Sequence, residues 1–416
     1  MQKQQRKKLL MVIPNLGLGG AQRAFHDHSV ELQKRYDVTE AVFNLDEPNI
    51  YPSGNPLENM EVAGGGNTLD KASNFWKRVR RLRALKQKTQ ADVCISHLEG
   101  ADYVNLLSKD KEKIILLIQG SKVHDRNISG PLGWLRKQVM MPALYRRADR
   151  IVTVSRDIMP EIIDAFGVEA GKVLTIHNSF EVERVWGQAQ EPLPADMQAV
   201  YDVAPTLVTS ARLAVQKNQA PLLQIFADLL KRRPAKLVFV GDGELRDELT
   251  GKARTLGLRV YEVWKQEPLT PDYDVYFMGL QQNPFKFIRP ADLFVFPSGW
   301  EGFPLALGEA MICGAAVVTT DCPTGPREML SPTTATPTNP IRTAEWAEYG
   351  VLMPMLTEAD TLQADEKVWT DTIEQLLTDP AERQRLGQLA RRRMEDFTHK
   401  KIFQRWVELI EQVLVE

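Results

Sequence analysis

Two glutamates stand eight positions apart in the segment EGFPLALGEAM, as Glu301 and Glu309. The four apolar residues 293–296 before them predict a buried strand, and Pro304 suits the first position of a following helix. The N–H groups at a helix start bind anions such as phosphate. Glu301 in the loop and Glu309 on the second turn can each accept hydrogen bonds from vicinal hydroxyls. The segment therefore suits a nucleoside diphosphate that carries a sugar.

Two cations follow another predicted strand in the segment SARLAVQKN, as Arg212 and Lys217. Ligands of open α/β sheets bind beyond the carboxyl ends of the strands, where both residues are expected. An arginine fork together with a lysine ammonium can neutralise a diphosphate without a metal ion. Taken alone, the pair would also fit two solvated cations on the protein surface.

A glycine-rich turn, NLGLGGA over 15–21, separates the first predicted strand from the first helix. Gly19 and Gly20 allow backbone N–H groups to approach a phosphate closely, and the helix N-terminus adds a favourable dipole. A dinucleotide-binding fingerprint would require glycine where this chain has Gln22, which argues against a nicotinamide enzyme. A tight turn that binds no ligand is the alternative.

These motifs lie in a repeating alternation of short apolar strands and amphipathic helices. The predicted strands are 9–14, 38–43, 93–96, 114–118, 151–154 and 173–176, then 207–210, 237–240, 275–278, 293–296 and 315–320. A proline-bearing bridge over 188–205 separates the two sets, and 46–70 and 331–340 read as loops. We predict an α/β protein with two Rossmann-like, doubly wound parallel sheets. The predicted domains are 1–187 and 188–395, with a C-terminal helix over 396–416 that packs back toward the first domain.

The composition supports this division and limits the partners. A length of 416 residues fits two domains better than one, and the 43% hydrophobic content is ordinary for a globular protein. Formal net charge is −2, which argues against a nucleic-acid partner. Residues 1–190 carry 28 basic and 22 acidic side chains, whereas the remainder carries 24 and 32. A basic first half favours an anionic partner or surface for that half.

The cysteines and acidic pairs do not indicate a metal site. Cys94, Cys313 and Cys322 have no metal-ligand spacing and cannot form a disulfide framework, which favours a reducing, cytoplasmic setting. Asp272 and Asp274 have the spacing of a metal-binding Asp-x-Asp, but they lie in a polar insertion and read as a surface turn. No apolar run is long enough to predict a membrane span. We therefore expect neither a metal nor a cofactor.

The chain resembles the retaining nucleotide-sugar glycosyltransferases of family 4, which have the GT-B fold of two facing Rossmann-like domains. Their Glu-x7-Glu element is matched by Glu301 and Glu309. SARLAVQKN resembles the family's phosphate motif, VGDGE over 240–244 resembles its Gly-Asp-Gly turn, and the glycine-rich turn resembles its first glycine loop. The matches are correctly ordered, cover nearly the whole chain and are densest over 206–330.

The resemblance implies a role for each matched residue. Arg212 and Lys217 would hold the donor diphosphate and stabilise its charge as it leaves, Glu301 would contact the donor sugar, and Glu309 would bind the ribose. The implied donor-binding set is Gly19, Gly20, Arg212, Lys217, Gly241, Glu301, Gly302, Phe303, Pro304, Leu305 and Glu309. In such enzymes the reaction follows domain closure, and the acceptor attacks on the face that the nucleotide leaves, with no accepted protein nucleophile.

One position departs from the family pattern. Many relatives place a histidine after a first-domain strand, near the reacting sugar, but here the strand 114–118 is followed by Gln119. His97, at the end of an earlier strand, is a candidate substitute that would hydrogen-bond a sugar or acceptor hydroxyl and join the catalytic set. A histidine that serves only the structure is the alternative.

Two basic amphipathic stretches, 74–88 and 134–150, lie in the domain that binds the acceptor in this family. They either rest on an anionic membrane or merely cover the first sheet. The stretch TDCPTGPRE over 320–328 resembles family members that extend bacterial cell-surface or lipid-linked glycans. We therefore expect a cytoplasmic protein, with peripheral contact to the inner face of the membrane left open.

The sequence thus predicts transfer of a sugar from a nucleoside-diphosphate donor, with UDP as the nucleotide, to a saccharide or lipid-linked saccharide. Two other functions stay open. A UDP-sugar 2-epimerase shares the fold, although it would not be expected to carry Arg212, Lys217 and both glutamates together. A two-domain sugar-binding protein without catalysis is the third reading.

Overall fold

The computed structural model of the chain describes residues 6–46, 48–125, 128 and 130–416. Its residues form two compact units. The first unit extends to Ser179 and resumes at His399–Glu416, and the second unit is Phe180–Thr398. The first changeover thus comes at Ser179 rather than at residue 187, and the last helix belongs to the first unit.

The first unit is built on a sheet of seven parallel strands. They are β1 (Lys8–Ile13), β2 (Asp37–Val42), β3 (Leu57–Asn59), β4 (Val93–His97), β5 (Lys113–Ile118), β6 (Arg150–Thr153) and β7 (Val173–Thr175). Their order is β3-β2-β1-β4-β5-β6-β7, with every neighbouring pair parallel. The chain winds outward from β1 and then from β4 in the opposite direction. The topological switch point, where such sheets bind ligands, therefore lies between β1 and β4.

Helices cover this sheet. They are α1 (Gly20–Leu32), α2 (Thr68–Thr89), α3 (Glu99–Leu107), α4 (Gly130–Leu135), α5 (Met141–Tyr145) and α6 (Ile158–Pro160), with π-helical turns at Arg136–Met140 and Glu161–Ala165. A capping box between Asn67 and Asp70 starts α2, and its apolar residues Val79, Leu82 and Leu85 join the core.

The second unit holds an eight-stranded sheet. Its strands are β8 (Thr206–Ser210), β9 (Lys236–Val240), β10 (Val260–Glu262), β11 (Val275–Phe277), β12 (Leu293–Phe296), β13 (Val317–Thr320), β14 (Glu345–Ala347) and β15 (Gly350–Met353). The order is β10-β11-β9-β8-β12-β13-β15-β14, and only the edge strand β14 is antiparallel to its neighbour. Here the topological switch point lies between β8 and β12.

The helices of the second unit pack around a core that contains Phe226, Phe239, Phe277 and Trp369. They are α7 (Val182–Ala189), α8 (Ala195–Val203), α9 (Gln219–Leu230), α10 (Arg246–Thr255), α11 (Phe285–Ile288), α12 (Leu305–Ile312), α13 (Pro326–Leu330), α14 (Leu362–Thr378) and α15 (Pro380–Arg393).

The prediction of a proline-bearing bridge over 188–205 is wrong, because the whole stretch lies within the second unit and half of it is the helix α8. Pro194 precedes the first helical residue. At a helix start the N–H group that proline lacks would have no intrahelical partner, so proline is tolerated there. Met197 and Val200 of α8 are fully buried, which a linker would not require.

The last helix, α16 (His399–Val415), packs within the first unit against α1. Phe403 and Trp406 contact the ring of His28, with centroid distances of 5.2 and 4.8 Å. Tyr36 donates a hydrogen bond to Glu411 at 2.8 Å. Within the residues that the structure describes, no helix has the length and apolarity needed to cross a membrane.

Candidate active site

Lys217 and Glu301 meet at the switch point of the second sheet. β8 leads to Lys217 and β12 leads to Glu301, and these two strands are parallel neighbours. The Lys217 ammonium Nζ lies 2.6 Å from Glu301 Oε1, and only 18% and 6% of the two side chains are exposed. Nζ also lies 5.1 Å from the centroid of the Phe296 ring, a favourable site for a cation. The structure thus brings together two residues of the predicted catalytic set.

The two loops that carry this pair are joined by hydrogen bonds. Gly299 N donates to Gln216 O at 2.8 Å, and Gln216 Nε2 donates to Trp300 O at 2.7 Å. Asn218 adopts the left-handed conformation, with φ of 48°, at the start of α9. Gln216 was not predicted as a site residue, because no sequence pattern shows which loop a polar side chain will reach. These bonds fix Lys217 relative to Glu301.

The Gly-Asp-Gly turn braces the loop that carries Arg212. Ala211 N donates to Val240 O at 3.1 Å, and Leu213 N donates to Asp242 O at 3.0 Å. A Cβ on Gly241, whose φ is +140°, would lie 2.1 Å from Ala211 O, so only glycine permits this approach. Gly241 therefore has a structural reason to be glycine.

Arg212 itself extends into solvent. Its side chain is 55% exposed, and its nearest anionic neighbour is Glu244, at 4.0 Å and 56% exposed. Such an exposed ion pair contributes little to stability. The guanidinium is therefore available to bind an anion at the carboxyl end of β8.

The backbone around Glu301 rests on the loop after β13. Glu301 N donates to Pro323 O at 2.9 Å, and Thr324 Oγ1 donates to Glu301 O at 3.1 Å and to Gly302 O at 3.2 Å. Gly325 packs directly beneath, because a Cβ there would lie 2.4 Å from Gly302 O. Thr324 and Gly325 were not predicted as site residues.

A buried ion-pair network holds that loop. Arg327 donates in bidentate fashion to Asp321, at 2.9 and 2.6 Å, and to Glu345, at 2.9 and 2.8 Å. Arg327 is almost fully buried, so its charge needs both carboxylates. The stretch 320–328 therefore supports the backbone of Glu301.

The helix that follows Glu301 begins one residue later than predicted. Pro304 is the N-cap of α12, with an extended ψ of 116°, and its carbonyl accepts the Gly308 N–H at 3.2 Å. Because proline has no N–H group, the amide donors of this segment are those of Gly302, Phe303 and Leu305. Phe303 turns its ring into the interior, 5.0 Å from Phe397. The backbone N–H of Phe303 can therefore donate to a ligand, while its side chain packs in the core.

Glu309 lies on the second turn of α12 and is half-buried. The helix ends in a Schellman motif, in which Gly314 N donates to Met311 O at 3.0 Å and Ala315 N donates to Ala310 O at 3.2 Å. Gly314 has φ of +76°, as expected for this position. Both ends of the helix that carries Glu309 are thus defined.

In the first unit, the predicted glycine turn follows β1. Gly19 is the N-cap of α1 with an extended backbone, and Gly20 is the first helical residue. Gln22 Nε2 donates to Asn15 Oδ1 at 2.8 Å across the turn, and a Cβ on Gly19 would meet Gln22 Oε1. The turn places two glycines at the switch point of the first sheet.

His97 ends β4, beside β1 at the same switch point, but it is fully buried. Burial, followed by the neighbouring His28, holds the pKa of His97 well below its usual value of 6.5. His97 Nδ1 accepts a hydrogen bond from Gln119 Nε2 at 2.9 Å. His97 is thus a neutral side chain with no exposed surface, and Gln119 is the partly exposed member of the pair.

Asp274, from the Asp-x-Asp segment, is bound to Arg259. The Arg259 guanidinium donates to both carboxylate oxygens of Asp274, at 2.7 and 3.1 Å, and this contact holds the pKa of Asp274 below its usual value despite partial burial. Asp274 ties the loop before β11 to Arg259.

Two family profiles match the chain, one for each unit. The profile described as "Glycosyl transferases group 1" matches residues 204–349, and the profile described as "Glycosyltransferase Family 4" matches residues 18–184. The first match contains the Lys217–Glu301 pair, and the second contains Gly19, Gly20 and His97.

Curated relatives share the similarity over long stretches. An uncharacterized glycosyltransferase of Methanocaldococcus jannaschii is 27% identical over 80% of this chain and 83% of its own length. An N-acetylgalactosaminyltransferase of Campylobacter jejuni, named for its substrate N-acetylgalactosamine-N,N'-diacetylbacillosaminyl-diphospho-undecaprenol, is 28% identical over 47% of each chain.

Solved structures share the fold. HepE of Anabaena, solved with UDP and glucose, superposes with a TM-score of 0.71 at 17% identity over 98% of this chain and all of that one. Sucrose-phosphate synthase of Thermosynechococcus elongatus gives 0.74 at 17% identity over 99% of this chain and all of that one. The chain therefore belongs to the group 1, family 4 glycosyltransferases, enzymes of the GT-B fold that use a nucleotide-sugar donor.

Proposed function

We propose that the chain is a retaining glycosyltransferase that moves a sugar from a UDP-linked donor to a saccharide carried on a lipid diphosphate, in cell-surface glycan synthesis. The second unit binds the donor, and the first unit binds the acceptor. The observation that carries the donor site is the Lys217–Glu301 contact at the switch point of the second sheet. It places a cation for phosphate beside a carboxylate for sugar hydroxyls.

The two cations act on the leaving group. Lys217, held beside Glu301 and over Phe296, offers a fixed positive charge, and the exposed Arg212 adds a planar fork that matches phosphate oxygens. As the bond from the sugar to the diphosphate breaks, negative charge grows on the departing oxygen. Charges already in position stabilise that oxygen more in the transition state than in the bound donor.

The carboxylates and amides orient the donor. Glu301 accepts hydrogen bonds from the sugar hydroxyls, and Glu309, one turn into α12, accepts those of the ribose. The amides of Gly302, Phe303 and Leu305 hold the sugar and phosphate at the helix start. In the first unit, Gly19 and Gly20 leave backbone N–H groups open to a phosphate at the start of α1.

The proposed donor is supported by the relatives. HepE was solved with UDP, with UDP and glucose and with UDP-glucose. The names of the similar enzymes describe transfer of N-acetylgalactosamine and, in Salmonella typhimurium, of galactose. The HepE structures support a UDP donor, and the enzyme names supply the sugars to test first.

The proposed acceptor is supported by the names of relatives and by one surface of the first unit. Three Campylobacter jejuni relatives are named for acceptors linked to undecaprenol by a diphosphate. In the first unit Val123, Trp134, Leu135 and Val139 expose large apolar side chains, Trp134 to 62%. Lys137 joins these segments by donating to Val123 O at 2.8 Å. We call these four residues the apolar surface, and it suits the lipid side of such an acceptor.

The basic stretches contribute less charge to this surface than the sequence suggests. In α2, Arg78 donates to the carbonyl of Val62, and Lys86 forms a buried pair with Glu112. In the second stretch, Arg136 pairs with Glu99 at 2.6 Å. Because Lys77, Arg80 and Arg83 of α2 remain exposed, the proposed contact with the cytoplasmic face of a membrane rests on the apolar surface and on these cations.

A donor screen tests the proposal. Purified protein is incubated with UDP-N-acetylgalactosamine, UDP-galactose, UDP-glucose and UDP-N-acetylglucosamine, with GDP-mannose as the control donor, and nucleotide release is measured. We expect slow UDP release from one of the UDP-sugars. Conversion of a UDP-sugar into its 2-epimer without transfer would favour the epimerase, and binding without turnover would favour a non-catalytic protein.

An acceptor screen follows with the donor selected. Prenyl-diphosphate-linked N-acetylgalactosamine is compared with the methyl glycoside of the same sugar. Transfer to the lipid-linked acceptor, with an α-anomeric signal in the product by NMR, is the expected result. Equal transfer to the methyl glycoside would remove the lipid from the proposal, and a β-linked product would contradict retention.

Membrane contact is tested with vesicles that contain anionic phospholipid. We expect Trp134→Glu to reduce co-sedimentation, whereas Trp346→Glu, which alters an exposed tryptophan of the second unit, leaves it unchanged. No binding of the unaltered protein at low salt would contradict membrane contact.

A further inference from the structure

Gln119 follows β5 directly, at the carboxyl ends of the parallel strands, where ligands of such sheets bind. β5 is the parallel neighbour of β4, which ends at His97. Gln119 is half-buried, and its Oε1 accepts no hydrogen bond from any residue that the structure describes. Gln119 therefore offers a hydrogen-bond acceptor at the edge of the acceptor-binding unit.

The other end of the same amide is occupied. Gln119 Nε2 donates to His97 Nδ1 at 2.9 Å, so Nδ1 is the unprotonated nitrogen and Nε2 carries the proton of the ring. The His97 ring is held by edge-to-face contacts with Phe25 at 5.1 Å and with His28 at 5.2 Å. A fixed ring with a fixed tautomer dictates which way the amide of Gln119 faces.

The backbone beyond Gln119 is fixed as well. Glu161 accepts hydrogen bonds from Ser121 Oγ at 2.6 Å, from Lys122 N at 2.9 Å and from Val123 N at 3.2 Å. Because this carboxylate restrains the backbone of the loop, Gln119 can move mainly by rotation of its side chain. The hydrogen bond to His97 restrains that rotation.

We propose that His97 is a positioning residue, which orients the Gln119 amide so that Oε1 accepts a hydrogen bond from a hydroxyl of the acceptor saccharide. This inference rests on the proposed function, since it assigns the acceptor to the first unit. It replaces direct contact between His97 and a sugar, which complete burial of the imidazole prevents.

The chemistry requires a neutral imidazole. A doubly protonated ring has two donors and cannot accept from Gln119 Nε2, so the amide would turn and withdraw its oxygen. Burial beside His28 keeps the pKa of His97 low and thereby keeps Nδ1 an acceptor. His97 is thus not expected to act as a general acid or base.

A double-mutant cycle tests the inference in the full-length protein. The assay uses UDP-N-acetylgalactosamine and prenyl-diphosphate-linked N-acetylgalactosamine, and the variants are His97→Phe, Gln119→Ala and the double variant. We expect His97→Phe to lower kcat/KM for the acceptor about tenfold, the equivalent of one hydrogen bond. In the Gln119→Ala background the same change lowers it no further. His97→Asn, whose Oδ1 can accept from Gln119, restores part of the activity.

Stability separates this role from a purely structural one. His97→Phe is expected to lower the unfolding midpoint in both backgrounds, because the fully buried ring loses its packing in each, whereas its effect on transfer requires Gln119. Equal losses of transfer in both backgrounds would overturn the inference while leaving the transferase intact. Absence of transfer by the unaltered protein would instead count against the proposed acceptor.

A spectroscopic readout stands without any substrate. In ¹⁵N spectra assigned by loss of the His97 signals in His97→Phe, Nδ1 is expected to show the shift of an unprotonated, hydrogen-bonded nitrogen at neutral pH. Gln119→Ala should move that signal downfield. A protonated Nδ1, or no change in Gln119→Ala, would overturn the inference.

Discussion

Lys217 Nζ lies 2.6 Å from Glu301 Oε1, although 84 residues separate the two along the chain. The contact exists because β8 and β12 are neighbours at the switch point, so that the loops after them meet. Each side chain is largely removed from water, and a buried charge without its partner is costly. Under the proposed function, a phosphate of the bound donor would take the place of the carboxylate beside Lys217.

Replacing Lys217 with methionine keeps the stem and removes the charge. We expect kcat for transfer to fall by about 10²–10³, the usual cost of losing one group that stabilises developing charge. UDP affinity should weaken as well, because the phosphates lose one cation. Steady-state kinetics and calorimetric titration with UDP measure the two effects.

Lys231→Met is the matched control, because Lys231 is an exposed cation of the same unit paired with Asp228 at 2.6 Å. It should change neither kcat nor UDP affinity. Wild-type turnover in Lys217→Met would show that the leaving group is stabilised elsewhere.

Gly325→Ala tests whether the loop after β13 supports Glu301. The added Cβ would lie 2.4 Å from Gly302 O, and the φ of +94° disfavours any residue with a Cβ. We expect the free energy of unfolding to fall by about 1–3 kcal/mol, with KM for the donor raised because the Glu301 loop is displaced. Chemical denaturation and donor kinetics provide the measurements.

Gly251→Ala serves as the comparison. Gly251 lies within α10, and a Cβ there would meet no atom within 4 Å. This variant should be more stable by about 0.5–1 kcal/mol, since alanine is the better helix former. If both variants behave alike, Gly325 does not act through its contact with Gly302.

The elements that sequence predicts best are those with long apolar runs. The strand KIILLI before Gln119 is an example, since five of its residues are fully buried in a parallel sheet. By contrast β3, β10 and β14 have only three residues each and include charged side chains, so no periodicity marks them. The helix α8 escapes prediction because a proline is typical of linkers as well as of helix starts.

In the candidate site, likewise, sequence predicts the residues that belong to motifs but not the residues that support them. Lys217 and Glu301 carry motif spacing, and the structure brings them together. Gln216 and Thr324 support them through bonds to backbone atoms of distant loops, which depend on which strands are neighbours. The burial of His97 depends on packing against α1, whose His28 is in turn covered by α16 from the far end of the chain. No local pattern at residue 97 contains that information.

We predict that the buried His28 makes the protein less stable in acid. Burial, followed by the charge of His399, lowers the pKa of His28 from 6.5 to about 3. Below pH 6.5 the unfolded chain binds a proton there that the folded chain does not, so the free energy of unfolding falls as the pH falls. The slope reaches about 1.4 kcal/mol per pH unit for this one group.

His28→Phe removes the titrating group and keeps an aromatic ring against Phe403 and Trp406. Urea unfolding of both proteins between pH 7 and 4 isolates the contribution of His28 as their difference. The wild type should lose stability relative to the variant as the pH falls. Parallel curves would mean that His28 is protonated in the folded protein.

Asp102 predicts the opposite dependence in the same unit. It is fully buried, accepts hydrogen bonds from Ser96 at 2.7 Å and from Tyr145 at 3.4 Å, and its pKa is raised by burial to about 7. The folded chain therefore keeps a proton between about pH 4 and 7 that the unfolded chain has lost. The stabilisation is complete below pH 4 and is lost as the pH rises through 7.

Asp102→Asn removes this titration and keeps an acceptor oxygen for Ser96, while its NH2 group takes the place of the oxygen that faces Tyr145. Relative to the variant, the wild type should lose up to about 1.4 kcal/mol per unit as the pH rises from 4 to 7, and the difference should level off above pH 7. Infrared spectra at pH 5 should show a protonated buried carboxyl band that Asp102→Asn lacks.

The stability differences for His28→Phe and Asp102→Asn change in opposite directions with pH. The two series therefore distinguish the two groups, even though their effects on stability partly cancel in the wild type. A flat difference for Asp102→Asn, together with no such band, would mean that the carboxyl is ionised in the folded protein, with Lys122, whose charge lowers its pKa, as the counter-charge.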